Sequence, residues 1–252
     1  MRIENPKGNF AFVRGIAPYS GGVAALVGYE LEHVRFARPV PLRAGFARVR
    51  SHLERLKRPL AALCAMELRS PQPFSFAGFG QFNAGYIDVL RDWGILLEGG
   101  VNPVARTNVA PEIGAPAEPS LYGFSYTIPS VGSRGGTFVI AGAGELPEGS
   151  LKPEDVVRHG EITPEALREK ARFVMGLMTG RLRELRATWD QVTVAEMYTV
   201  HPVTGFFAQE VIQPMGGGAA HGVTWHYARP PIVSIEFEMD VRGCRRELVL
   251  DG

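Results

Sequence analysis

Two arginines stand in the same short setting at widely separated points of the chain. Arg106 lies in Val104-Ala105-Arg106-Thr107-Asn108, and Arg229 in Tyr227-Ala228-Arg229-Pro230-Pro231. A guanidinium is planar, always charged and presents paired donors, so an arginine on an extended segment is suited to grip a carboxylate. The competing reading for each is a structural ion pair. Arg106 has the richer surroundings, because Asn102, Thr107 and Asn108 add polar side chains for a ligand. Pro230 and Pro231 instead remove two backbone donors beside Arg229.

Other residue types offer less. His201, His221 and His226 have no helical His-x-x-x-His spacing and no Cys-x-x-Cys partner, so neither a metal nor another cofactor is expected. Gly216-Gly217-Gly218 lacks the lysine and hydroxyl residue that complete a phosphate loop, and reads as a connector. Cys64 sits in an apolar run and is expected to pack in the core, whereas Cys244, flanked by Arg245 and Arg246, keeps a reactive thiol open. Glu67 and Glu196 interrupt apolar strands. Alternation places Glu196 on a solvated face and leaves Glu67 undecided, with Arg69 two residues on.

The elements that must position these residues are written twice. Phe10 to Gly15, a turn at 17–22 and Val23 to Leu31 read as a hairpin; Leu121 to Ile128, a break over 129–136 and Thr137 to Leu146 read as the same hairpin again. Leu42, Phe46, Val49, Leu53 and Leu56 form a helical stripe after the first. Thr163 as N-cap, Pro164 and the stripe Leu167, Val174, Met178, Leu182, Leu185 form one after the second. Each helix leads to an apolar strand, at 60–68 and 192–200, then to a second helix near 80–93 and 205–212, then to the segment bearing Ala-Arg. Two such units give two domains, 1–116 and 117–252, joined near Gly114 to Pro119, each a mixed sheet with two helices on one face.

This order of elements, with Pro18-Tyr19-Ser20, Phe82 to Leu90 and an Ala-Arg in both halves, resembles the RidA/YjgF superfamily of reactive-intermediate deaminases. The resemblance covers nearly the whole chain as two fused copies. It implies an α+β fold of two tandem chorismate-mutase-like (YjgF-type) domains, a homotrimer, and sites in clefts between domains. The implied activity is hydrolysis of a small carboxylated imine or enamine, such as a 2-aminomuconate-like catabolite, to a keto acid and ammonia. Arg106 and Arg229 match the carboxylate-binding arginine, Glu247 is the positional match for the acid that places the water, and Tyr19 for the tyrosine lining the site. Asn102, Thr107, Asn108, Gly28 and Gly142 complete the expected binding positions. Asn108 and Pro231 stand where relatives often carry a cysteine. The competing functions are a chorismatase-like enzyme on the same scaffold and a non-catalytic ligand-binding module.

Composition sets the outer limits. The 252 residues are 45% hydrophobic and 21% charged, an ordinary globular balance. A formal charge of +1 supplies no field for nucleic acid or an anionic membrane. No apolar run reaches the length of a membrane span, and the start of the sequence lacks a signal-peptide plan, so a cytoplasmic location is expected. The small carboxylate-bearing metabolite expected as partner is what the resemblance implies.

Overall fold

The computed structural model describes residues 1–130 and 136–251; the break expected over 129–136 lies outside the described residues at 131–135. The chain opens with β1 (Arg2–Asn5), β2 (Phe10–Val13), β3 (Gly22–Ala25) and the long β4 (Tyr29–Pro41). Helix α1 (Leu42–Arg55), β5 (Leu63–Arg69), α2 (Phe76–Asp92) and β6 (Ala105–Pro111) follow, then β7 (Ser120–Pro129), β8 (Phe138–Gly144), α3 (Pro164–Glu184) and β9 (Val194–Tyr198). A tightly wound stretch over 208–221 precedes β10 (Thr224–His226), β11 (Ala228–Arg229), β12 (Glu238–Gly243) and β13 (Arg246–Leu250).

Among the described residues the strands form two sheets. One runs β1-β2-β3-β8-β12-β9-β10 and the other β11-β6-β5-β7-β4-β13. Each sheet therefore takes strands from both sides of residue 116. The expectation of two tandem YjgF-type domains, each closing its own sheet, is corrected by this topology. The reason lies in the two supposed hairpins. The run 23–31 is cut at Gly28, whose positive φ of 85° turns the chain out of the first sheet and into the second. Strands β7 and β8 do not pair with each other; β7 lies between β5 and β4, and β8 between β3 and β12. Local pattern identified many of the strands, though not β1, β13 or most of β4, and it did not identify their partners.

The helices follow their sequence signals more closely. Ser75 caps α2 by accepting from the Gly78 amide, which starts the helix at Phe76 rather than near 80, and Thr163 caps α3 by accepting from Ala166. The helix expected over 205–212 is a short wide turn running into a 3-10 stretch, broken at Gly216, where φ is 54°. Helices α1 and α2 cover the outer face of the six-stranded sheet, burying Phe46, Val49, Leu53, Tyr86 and Leu90 against Met66, Leu68 and Phe124. Helix α3 covers the other sheet, with Val174, Met178 and Leu182 against Ile140, Met197, Met239 and Val241.

The two inner sheet faces meet in a layer of two characters. One part is apolar, built from Phe10, Phe12, Val23, Leu31, Cys64, Ala65, Ala105, Val139, Ala141 and Cys244. Cys64 takes its expected place there. Cys244 is buried too, and burial pushes its thiol up to about 12, which removes the reactive reading. The other part carries Glu67, Thr107, Glu196, Tyr198, Glu238, Asp240 and Arg242, all buried. Among the described residues no helix is long and apolar enough to cross a membrane.

Candidate active site

Along α2, Phe79, Phe82, Asn83 and Tyr86 fall at steps of three, one and three, so they share one helical face. The guanidinium of Arg106, on β6, packs against that face. Its carbon lies 4.7 Å from the Tyr86 ring centre, 5.5 Å from Phe79 and 5.7 Å from Phe82, with Tyr19 at 4.9 Å. Nη2 donates to the Asn83 side-chain oxygen at 2.7 Å. Nη1 is buried and, among the described residues, has no hydrogen-bond partner, nor does Arg106 form an ion pair with any carboxylate there. Burial pulls the Arg106 pKa down while the Tyr86 and Tyr19 hydroxyls and Glu238 oppose it. A buried cation with one orphan donor is costly unless a ligand supplies the acceptor.

Asn108, two residues on, repeats the pattern. Its oxygen accepts from the Ser70 hydroxyl at 3.0 Å, while its Nδ2 is buried without a partner among the described residues. Arg106 and Asn108 both line a cleft of about 700 Å³, measured with the solvent at its mouth, whose walls include Tyr19, Phe79, Gly142, Glu148, Arg181, Ile232 and Glu238. The site thus offers two unused N–H donors, as an incoming carboxylate requires.

Glu238 faces them from β12 of the other sheet. Its carboxyl makes no ion pair among the described residues. Burial raises its pKa to about 8, with Glu145 adding to the shift and the guanidiniums of Arg181 and Arg106 opposing it. At neutral pH it is a carboxylic acid able to give and retake a proton. Its place depends on a bulge: Met239 pairs with Ala143 but Val241 with Ile140, so Ala141 and Gly142 together oppose Asp240. A Cβ on Gly142 would stand 2.2 Å from Glu238 Oε1, so the glycine leaves room for the carboxyl. The Gly142 amide donates to the Thr107 hydroxyl at 3.0 Å, tying the two sheets at the cleft wall.

A second polar cluster lies between the sheets and lines a cavity of its own. Arg242 contacts Glu196 at 2.9 Å and Glu247 at 2.8 Å, with Glu67 at 3.6 Å; His226 reaches Glu196 at 3.1 Å, and Tyr198 donates to Asp240 at 3.0 Å. Burial raises Glu67 and Asp240. Burial also works against the charge of Glu196, but the hydrogen bond from His226 and the Arg242 guanidinium hold it below the usual carboxylate range. The expected solvated face of Glu196 is thus an interior one, because the other sheet covers it.

The sequence-derived positions divide accordingly. Arg106, Asn108, Tyr19 and Gly142 converge on the cleft. Thr107 points into the layer behind it, where it also hydrogen-bonds to Asp240. Asn102 is structural: it donates to the Pro18 carbonyl at 2.8 Å and accepts from the Val104 amide at 2.9 Å, holding the loop that carries Tyr19. Arg229 is not in the cleft; it forms a half-exposed fork with Glu112 at the surface. Glu247 serves Arg242 at the edge of the second cluster, and Gly28 is a turn residue with open space around it. Sequence reading missed Glu238, Arg181 and Asn83. Along β12, Glu238, Asp240 and Arg242 alternate with Met239 and Val241, a pattern that marks a strand but does not show which face is buried.

Comparison with known proteins corrects the family. A family model described as 2-aminomuconate deaminase CnbZ matches residues 2–248, in place of RidA/YjgF. A 2-amino-5-chloromuconate deaminase of Comamonas testosteroni is 42% identical over 245 residues, covering 96% of both chains. A chorismatase crystal structure superposes with a TM-score of 0.46 at 14% identity, over 89% of this chain and 77% of that one. A cyanuric acid hydrolase gives 0.40 at 9% identity, over 85% and 67%. Both likenesses are too distant to bear on function. On the match across nearly its whole length, the chain belongs to the CnbZ family of 2-aminomuconate deaminases.

Proposed function

We propose that this protein is a hydrolytic deaminase of a 2-aminomuconate-type substrate, a conjugated enamine carrying a carboxylate beside the amino-bearing carbon. The observation that carries the reading is the pairing, across one cleft, of the unsatisfied Arg106 and Asn108 donors with the buried Glu238 carboxyl, whose pKa burial raises. Family membership supports the substrate class.

In this reading Arg106 and Asn108 hold the carboxylate next to the reacting carbon. Two charge-assisted bonds orient the substrate, and orientation is a large part of what such a hydrolysis needs. Glu238 gives its proton to the enamine carbon, leaving an iminium at the amino-bearing carbon. Its carboxylate then takes a proton from the water that adds there, forming a carbinolamine. The same proton passes to nitrogen, ammonia departs, and the hydroxyl proton returns to Glu238 as the ketone forms. One water is consumed, one ammonia is released, and the carboxyl ends as it began.

The test is ammonia release and loss of the substrate's absorbance on incubation with 2-aminomuconate. Arg106→Lys keeps a charge but loses the fork, and kcat/KM is expected to fall about 10- to 100-fold, the cost of one charged hydrogen bond. Wild-type turnover with unchanged kinetics in Arg106→Lys removes Arg106 from the site.

A further inference from the structure

A second guanidinium lies on the wall of the same cleft. Arg181, near the end of α3, is largely buried, and its Nη1 donates to the bulge carbonyls of Ala141 at 2.8 Å and Gly142 at 3.4 Å. This anchoring leaves the Nε and Nη2 edge for a planar acceptor. A carboxylate already sits there: Nε meets Glu148 Oε1 at 2.7 Å, and Nη2 meets Oε2 at 3.1 Å. Such parallel bonding is the geometry by which arginine recognises carboxylates in general.

The carboxylate's origin distinguishes this pair from the buried pairs elsewhere. Glu145 is held in place by Lys170 and by the amides of Glu236 and Phe237, all part of the packed interior. Glu148 instead belongs to a surface turn, closed by a bond from the Ser150 amide to the Pro147 carbonyl, with Gly149 at a positive φ of 82°. Its side chain is about half exposed, at 51%, whereas that of Arg181 is 7% exposed. The turn, from Leu146 to Leu151, itself lines the cleft. Beside the arginine, Gly21 supplies no side chain; a Cβ there would stand 3.4 Å from Arg181 Nε.

We infer that Arg181 is the specificity-determining residue for a second carboxylate, and that Glu148 is a placeholder which the far carboxylate of a linear dicarboxylate displaces. The cleft then has two cationic poles, Arg106 and Arg181, and Glu238 feels both. A monocarboxylate engages only one pole. A dicarboxylate gains the second fork by exchanging one carboxylate for another, and the turn bearing Glu148 swings outward into solvent. This inference rests on the proposal that deamination takes place in the Arg106 and Glu238 cleft, and adds what selects the substrate.

The experiment is calorimetric binding of two unreactive probes, hexanedioate and hexanoate, to the full chain and its Arg181→Lys and Glu148→Ala variants. Wild type is expected to prefer hexanedioate by about tenfold or more, the value of one charged hydrogen bond. Arg181→Lys is expected to shrink that preference to about twofold by weakening hexanedioate alone. Glu148→Ala is expected to tighten hexanedioate by at least about threefold, because the competitor is gone. Equal weakening of both probes by Arg181→Lys, no preference in wild type, or unchanged or weaker hexanedioate binding in Glu148→Ala would each overturn the inference. Should Arg181→Lys fail to fold, Glu148→Ala decides alone, since Arg181 is intact in it. Failure of the deaminase reading shows separately, as absent ammonia release with probe discrimination preserved.

Discussion

Glu238→Gln is the most informative single change, because it replaces the proposed acid by a group of the same shape that cannot ionise. The glutamine still fits the space left by Gly142, so packing is nearly unchanged. General acid–base catalysis contributes about 10²- to 10⁴-fold, and a loss of kcat in that range is expected. The pH profile gives a sharper readout. The first proton transfer needs the protonated carboxyl, so wild-type kcat/KM, which reports ionisation in the free enzyme, is expected to fall as pH rises through about 8. The variant's residual rate should lack that descending limb. Stability provides a second, independent consequence. A carboxyl whose pKa is 4.5 in the unfolded chain and about 8 in the folded one contributes stability that is complete below pH 4.5 and lost as pH rises through 8. At about 1.4 kcal/mol per pKa unit the shift amounts to roughly 5 kcal/mol. Urea midpoints measured from pH 5 to 9 should therefore decline more steeply in wild type than in Glu238→Gln. A variant retaining more than about a tenth of wild-type kcat, or keeping the limb near pH 8 in both kcat/KM and stability, would refute the role given to Glu238.

Further substitutions separate the site from its surroundings. Gly142→Ala places a methyl 2.2 Å from Glu238 Oε1 and 3.0 Å from Thr107 Cγ2, and displacement of the carboxyl should lower kcat about 100-fold in steady-state assays. Arg229→Ala removes only the surface fork to Glu112; turnover is expected within about twofold of wild type and stability within about 1 kcal/mol by urea titration. Lys170→Met strands the buried Glu145 carboxylate, and chemical denaturation should show a loss of about 3–5 kcal/mol.

Much of the local structure was legible in the sequence. The stripe from Leu42 to Leu53 and the Thr163-Pro164 start predicted α1 and α3, because helix periodicity and capping are properties of neighbouring residues. The strands at 63–69, 120–129 and 194–198 were likewise visible as apolar runs. Strand partners were not. Pairing of β3 with β8, or of β4 with β13, joins residues far apart in the chain, and no local pattern records it. Reading the two apparent hairpins as closed units therefore produced two tandem domains where the chain builds two shared sheets.

The candidate site divides along the same line. Arg106 and Asn108 could be found because polar side chains cluster in one extended segment, and a cluster of donors on a strand is visible without its neighbours. Arg229 carried the same Ala-Arg setting and ended at the surface with Glu112, so the setting does not determine the environment. Glu238 could not be found, because its alternation with Phe237 and Met239 is that of any strand with one face in water. Sequence by itself determined which residues share a strand face and which share a helix face, since backbone periodicity fixes both. Only the stacking of one sheet on the other decided that the polar face of β12 lies inside. Lost hydration there turned Glu238 from a surface carboxylate into a neutral acid opposite Arg106.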